Sequence, residues 1–341
     1  MNRIFVTGSG FSGTGCVLDW MREQEAVAVC PVRPFSHLSN NWLARPRVDL
    51  LKYLSGMVAA PREERLRLLE EALGTLRTIE SINRTPSGRL VQWTKLNTPQ
   101  RLKVVVNYLL GRGASLSELK NPEIKSLSQT LAALSADVRA FEQAREAFEA
   151  GQEVAPEFWV EWLDTKLAAL IDEREHVVFD KSVSFGVDGQ VEFMLEHFPS
   201  TRVMFVIRDP VDQLCEKLLA GYGRDAVRRM APEALEEALA SLAAGVEEQT
   251  ERARAVAKNR PGTVWVCTFE DFVFEHELTT RRLGDWLGFE PRRSGYRNLD
   301  LSISRGNIGI GEAVPAVAAF LEGHPCSVLY ESMREAALCG G

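Results

Sequence analysis

Residues 4–21 read as a buried strand, a glycine loop and a helix, and this unit constrains the chain more than any other. Ile4-Phe5-Val6 is a short continuous apolar run of the kind found in a sheet covered on both faces. Thr7-Gly8-Ser9-Gly10-Phe11-Ser12-Gly13-Thr14-Gly15 follows, and four of the eight residues from Gly8 to Gly15 are glycine. Cys16-Val17-Leu18-Asp19-Trp20-Met21 then has helical character. In such a unit the loop amides converge on the first turn of the helix, whose dipole favours an anion. The glycines admit a ligand to the backbone, while Ser9, Ser12 and Thr14 offer hydroxyls. A tight turn without a ligand is the plainer alternative, but the strand–loop–helix context favours an anion site.

The loop leaves several anions open. Gly8-x-x-x-x-Gly13-Thr14 is similar to a Walker A loop, yet lacks the Lys after Gly13 that a nucleotide hydrolase or kinase needs on the β/γ-phosphates. Gly8-x-Gly10-x-x-Gly13 satisfies the dinucleotide fingerprint, so an NAD(P)-dependent Rossmann reductase is the rival. Against it, the second apolar run ends in Cys30-Pro31-Val32-Arg33, without an acidic residue for a ribose hydroxyl. Arg33 would suit a 2′-phosphate instead. No Tyr-x-x-x-Lys pair supplies a reductase acid, and a long helical stretch replaces the expected quick βαβ repeat.

That stretch covers roughly residues 45–175. Leu66, Leu69, Leu73, Leu76 and Ile79 recur at helical spacing, as do Leu127, Leu131, Leu134, Val138, Phe141 and Phe148. Phe158, Trp159, Trp162, Leu163, Leu167 and Leu170 form a third apolar stripe, and core packing explains all three. Strand signals return at Val177-Val178-Phe179, Arg202–Ile207 and Thr263–Cys267, the last two separated by a helix bearing Leu235, Leu239, Leu242, Val246 and Val256. Strands separated by helices predict crossovers and a largely parallel central sheet flanked by helices. The expected organisation is one α/β domain over residues 1–311, interrupted by a helical insertion at 45–175 and followed by a helical tail at 312–341.

With 341 residues, 45% of them hydrophobic and 26% charged, the chain is long enough for a sizeable core. A formal charge of −7 excludes the broad basic field of a generic nucleic-acid or membrane-surface binder, so an anionic ligand needs a local cluster. Six scattered cysteines without a CxxC pair or a Cys/His grouping argue against a metal site or a disulfide framework and for a reducing cytoplasm. The opening apolar run is too short for a signal peptide, and nowhere do about 18 apolar residues run together, so no stable membrane insertion is expected.

Three further stations carry charge. Arg208-Asp209-Pro210 closes the most apolar strand, where ligands of open parallel sheets bind, and a planar guanidinium suits a phosphate or sulfate. Phe179-Asp180-Lys181-Ser182 closes the preceding strand, offering Lys181 as a compact cation. Ser304-Arg305-Gly306-Asn307-Ile308-Gly309-Ile310-Gly311 is a glycine-rich loop with one arginine. Each also has a bland explanation: a helix-capping ion pair, a surface lysine, a flexible linker. Together they imply a ligand with anionic groups at two ends.

In this order the stations resemble those of the PAPS-dependent sulfotransferases, especially carbohydrate-type and bacterial members with a P-loop NTPase-like fold. Ile4–Thr14 resembles the 5′-phosphosulfate loop, and Val206-Ile207-Arg208-Asp209-Pro210 the 3′-phosphate strand and its turn. Phe179-Asp180-Lys181-Ser182 is similar to the Lys-Ser or Lys-Thr element of heparan-type enzymes. Thr268-Phe269-Glu270-Asp271-Phe272, with Leu283–Gly288, resembles the family's Tyr-Glu-Asp-Leu and following region. Arg305-Gly306-Asn307-Ile308-Gly309 resembles its late glycine loop. Two positions depart from the pattern. Phe11 stands where the family places Lys or Arg, and Glu216, eight residues beyond Arg208, where it places Ser. Either Arg33, Lys181 or Lys217 compensates, or the donor is held differently, or the chain is a non-catalytic nucleotide-binding relative.

The resemblance implies sulfuryl transfer from PAPS, as co-substrate and without a metal, to a hydroxyl or amine of a carbohydrate, lipid or small molecule. Gly8, Ser9, Gly10, Phe11, Ser12, Gly13, Thr14 and Gly15 would hold the 5′ end, and Arg208, Arg305 and Gly306 the 3′-phosphate. Lys181 would offset charge on the bridging oxygen. A general base must take the acceptor proton, and His37 is the titratable side chain in the segment where relatives carry one. His176 and His197 are worse placed, before a strand and in a turn. Trp42, Trp93 and Trp162 of the helical insertion would form the acceptor wall, where aromatics could stack on a sugar, although tryptophans more often serve as core.

Overall fold

The computed structural model describes residues 2–30, 36–38, 47–50, 53–54, 60–84, 122–168, 175–180, 184–185, 189–292 and 294–339. The chain divides into two compact units, one formed by Met1–Val29 with Glu173–Gly341 and the other by Cys30–Asp172. Each is described in turn.

The first unit is built on five parallel strands: β1 (Asn2–Thr7), β2 (Val27–Val29), β5 (His176–Asp180), β6 (Thr201–Ile207) and β7 (Val264–Thr268), in spatial order β2-β5-β1-β6-β7. β1 is central, with Ile4 in register with Val178 of β5 and with Arg202 of β6. β-strand alternation sends Ile4 and Val6 to one face and Phe5 to the other, and all three are buried, as the continuous apolar run predicts. On the first face Ile4, Val6, Val178, Met204 and Val206 pack with Trp20 of α1 (Thr14–Met21), Phe269 and Phe272 of α9 (Phe269–Phe274), and Leu283 of α10 (His276–Leu287). On the other, Phe5 stacks on Phe179 at 4.7 Å between ring centroids. There α6 (Pro210–Tyr222), α8 (Pro232–Asn259), α12 (Pro315–Leu321) and α13 (Pro325–Cys339) share a core of Leu214, Leu218, Leu239, Val246, Val317 and Cys326. Shorter helices α5 (Gln190–His197), α7 (Arg224–Arg228) and α11 (Leu301–Arg305) complete the unit.

The expected parallel sheet with flanking helices is therefore present. Its strand order overturns the dinucleotide alternative. In that fold the second strand lies directly beside the first. Here β5 takes that place and β2 lies outside it, so the end of β2 is not the neighbour of the glycine loop that a ribose-binding residue must be.

In the second unit, β3 (Ser36–Leu38) and β4 (Arg47–Asp49) form an antiparallel pair. The helices α2 (Arg62–Arg84), α3 (Pro122–Glu149) and α4 (Pro156–Ala168) carry the three apolar stripes, although Leu170 lies outside the described residues. Arg62 Nη2 reaches the Phe148 carbonyl at 2.9 Å, Arg77 Nη2 meets Glu142 at 2.6 Å, and Ser135 Oγ meets Glu80 at 2.6 Å. Rising positions on α2 meet falling ones on α3, so these helices run antiparallel. Leu69, Leu73, Leu76, Leu134, Phe141, Trp159 and Leu163 are buried.

One polar cluster interrupts this apolar interior. Asp137, fully buried, binds Lys166 Nζ at 2.6 Å and Trp162 Nε1 at 3.0 Å. Removing one member of a buried ion pair strands the other charge in a poor solvent. Asp137→Ala should therefore lose about 3–5 kcal/mol in urea unfolding followed by tryptophan fluorescence. A loss within the noise of surface substitutions would mean that the pair does not hold these helices.

Candidate active site

The glycine loop turns tightly at the carboxyl end of β1. A Cβ on Gly8 would collide with the Ser12 hydroxyl and lie 2.5 Å from the Val206 carbonyl. Gly13 takes a left-handed φ of 88° and lies against the Phe269 ring, so a side chain there is excluded twice over. Phe11 is also left-handed, with φ 65°, a conformation that costs a non-glycine residue roughly 1–2 kcal/mol. Its ring is 43% exposed, so the loop turns an apolar side chain outward where a cation was expected.

Two features leave this loop ready for an anion. Helix α1 starts at Gly13 with no side chain capping its first amides. Ser12 Oγ is buried, turned back across the loop toward Gly8, and has no hydrogen-bond partner among the described residues. A buried hydroxyl without a partner costs free energy that a ligand can recover.

Helix α6 holds the loop from outside. Asp209 caps it by accepting the Val211 N–H at 2.8 Å, and Pro210 occupies the first turn, where its missing N–H costs nothing. Gln213 Nε2, buried one turn on, lies 2.6 Å from Ser9 Oγ, 3.0 Å from the Ser9 carbonyl and 2.8 Å from the Gly10 carbonyl. Asp212 accepts the backbone N–H groups of Gly309 and Gly311, both at 2.7 Å, fastening the late glycine loop to the same helix. Gly311 is needed there, since a Cβ would overlap Val211.

Arg208, 3% exposed, joins these pieces. Its Nη1 donates to the Phe11 carbonyl at 3.0 Å and to Glu216 Oε2 at 2.5 Å, and its Nη2 donates to the Asn307 carbonyl. The guanidinium also lies over the Phe269 ring, 5.3 Å from its centroid. Its Nε is buried without a partner among the described residues. Below it, Glu270 accepts the Asp209 N–H at 3.0 Å and the Tyr330 hydroxyl at 2.9 Å. Burial pushes the Asp209 and Glu270 carboxyls above their ordinary values.

The structure thus gathers residues 8–14, Arg208 and the backbone of the late loop. It treats the other candidates differently. Arg305 is exposed and lines a cavity of about 690 Å³ with Phe274, His276, Leu278 and Tyr296, and no residue of the glycine loop is among the walls of that cavity. Only the backbone that follows Arg305 reaches Arg208. Lys181 and Arg33 lie outside the described residues, as do Trp42 and Trp93. His37 sits in β3 in register with Val48, and its side chain lies outside the described residues. Trp162 belongs to the buried Asp137 cluster, in line with core packing of its stripe rather than with an acceptor wall. His176 is buried at the opposite, amino end of β5, and burial lowers its pKa.

Asp212, Gln213 and Phe269 were not anticipated as parts of the site. One signal was available. Positions 209, 212, 213, 216 and 217 are all polar and spaced as one face of a helix.

Comparison with known proteins identifies the framework. No curated protein matches the chain at a significant level. Among solved structures, the sulfotransferase domain of the Synechococcus PCC 7002 olefin synthase is 11% identical with a TM-score of 0.39, covering 94% of each chain. Sulfotransferase STF9 of Mycobacterium avium is 13% identical with a TM-score of 0.37, covering 95% of this chain and 77% of its own. The model of a sulfotransferase family matches residues 4–292, most of the chain, including the first glycine loop, Arg208 and helix α6, and ends before the late glycine loop. The chain belongs to the sulfotransferase family.

Proposed function

We propose that the protein transfers a sulfuryl group from PAPS to a hydroxyl or amine of a small-molecule or glycan acceptor. The observation that carries this reading is the rigid glycine loop, with its uncapped helix N-terminus and partnerless buried Ser12 hydroxyl, lying against Arg208. A ligand with a phosphosulfate at one end and a phosphate at the other fits that pair of features. Free cysteines at 16, 215, 267 and 326 suit a reducing, cytoplasmic setting.

In this reading the acceptor oxygen or nitrogen forms a bond to sulfur as the sulfur–oxygen bond to the 5′-phosphate breaks. The acceptor proton passes to a base, and His37 is the candidate. The loop amides with Ser12 and Thr14 orient the 5′ end, and Lys181 stabilises the departing bridging oxygen. These roles rest on positioning and charge. Arg208 addresses the 3′-phosphate. Its Nη1 is bound by Glu216, whose side chain is 36% exposed.

A second reading, a nucleotide-binding relative without turnover, draws on Phe11 and on the Glu216 contact. Labelled sulfate separates the two. Transfer from PAPS to any member of a panel of glycans, lipids and phenols supports the enzyme, and tight PAPS binding with no transfer to any of them supports the relative. Stabilisation by NADPH alone would contradict both.

Two substitutions test the donor site. Ser12→Ala should weaken PAPS binding about fivefold, the worth of one hydrogen bond, as read by calorimetry. Glu216→Ser frees the guanidinium edge and should tighten adenosine 3′,5′-bisphosphate about tenfold, at the lower end of a charged hydrogen bond. Weaker binding of the bisphosphate to the Ser variant would show that its 3′-phosphate lies elsewhere.

A further inference from the structure

Lys217 is the one cation of α6 that faces the glycine loop without an ion-pair partner among the described residues. Gln213 and Lys217 are four residues apart and so occupy successive turns of one helix face. Because Gln213 grips the Ser9 and Gly10 carbonyls, the next turn brings Lys217 over Gly10. A Cβ built on Gly10 would lie 3.9 Å from Lys217 Cε, which puts the end of the lysine side chain close to the Gly10 backbone. The neighbouring carboxylate, Glu216, is already bound by Arg208.

This placement is unusual for a lysine. The side chain is half-buried, and burial lowers its pKa, with the Cys326 thiol the nearby group opposing that shift. Half-buried ammonium groups generally find a carboxylate or extend their tip into water. This one lies close to Gly10, in the same loop that carries an uncapped helix N-terminus and a buried, partnerless hydroxyl, both of which favour negative charge. The loop has no cation of its own, since position 11 is an exposed phenylalanine.

We infer that Lys217 supplies, from helix α6, the positive charge that binds the phosphosulfate end of the donor at the glycine loop. The inference rests on the sulfuryl-transfer reading and deepens it. The loop provides amides and a hydroxyl, and the helix that fastens the loop provides the cation. Phe11 is then no defect, because the charge arrives from a different segment. As a binding residue Lys217 needs no proton transfer; its ammonium remains a donor to non-bridging oxygens throughout.

The test compares the full-length protein with Lys217→Gln and Lys217→Arg, measuring PAPS binding by calorimetry and ligand-free melting by circular dichroism. Lys217→Gln should lose tenfold or more in PAPS affinity, while Lys217→Arg stays within about threefold of the parent protein. Ligand-free melting should stay level or rise in the Gln variant, because a partly desolvated charge has been removed. Unchanged PAPS affinity in Lys217→Gln, with the parent binding well, overturns the role of Lys217 and leaves the sulfotransferase reading standing. A lower ligand-free melting temperature with intact affinity likewise overturns it, in favour of a structural lysine. Failure of the parent protein to bind PAPS overturns the sulfuryl-transfer reading, and the inference falls with it.

Discussion

One buried guanidinium sets the geometry on which the site depends. Arg208 arrives at the end of β6 and spends its donors on the Phe11 carbonyl, the Glu216 carboxylate and the Asn307 carbonyl. These groups belong to segments separated by roughly two hundred, eight and one hundred residues of chain. Few side chains can bridge three acceptors from one rigid plane, and arginine is suited to it because its fork is flat, always charged and weakly hydrated. The left-handed backbone at Phe11 follows from the same contact. A conformation that would relax in a free loop persists because its carbonyl is held on one side and Gln213 holds the preceding residues on the other.

Helix α6 distributes this constraint. Its cap, Asp209, is tied to Glu270, and Glu270 to Tyr330 of the last helix. Asp212 holds the late glycine loop, Gln213 the first, and Glu216 the hub, while Lys217 lies over Gly10. Two and a half turns of one helix therefore set the positions of both glycine loops. The opposite side of that helix, with Leu214 and Leu218, is anchored in apolar core, so the polar face cannot rotate away. Such preorganisation matters for transfer of a compact anionic group, where little covalent chemistry falls to the protein and placement of charge does most of the work.

Much of the framework was legible along the chain. The continuous apolar runs of β1, β5 and β6 and the 3.6-residue stripes of α2, α3 and α4 arise from local geometry, and short-range patterns record local geometry directly. The glycine loop was legible for the same reason. Gly8 answers to Ser12 within the strand–loop–helix unit, whereas Val206 and Phe269, which also press on Gly8 and Gly13, come from distant segments. Arg208 was found because parallel sheets present the residues at their strand ends to one crevice.

Asp212 and Gln213 were overlooked for a common reason. Each owes its role to partners far away in the chain: the amides of Gly309 and Gly311 for Asp212, the carbonyls of Ser9 and Gly10 for Gln213. No residue type announces such a partner. Strand, helix and loop, and the family they assemble into, were thus written in local patterns of the chain. Only packing decided that Glu216 would hold Arg208, that Phe11 would face water and that Lys217 would lie over Gly10. Those outcomes depend on how one helix is rotated against two loops, and that rotation is set by contacts between segments that never meet in the sequence.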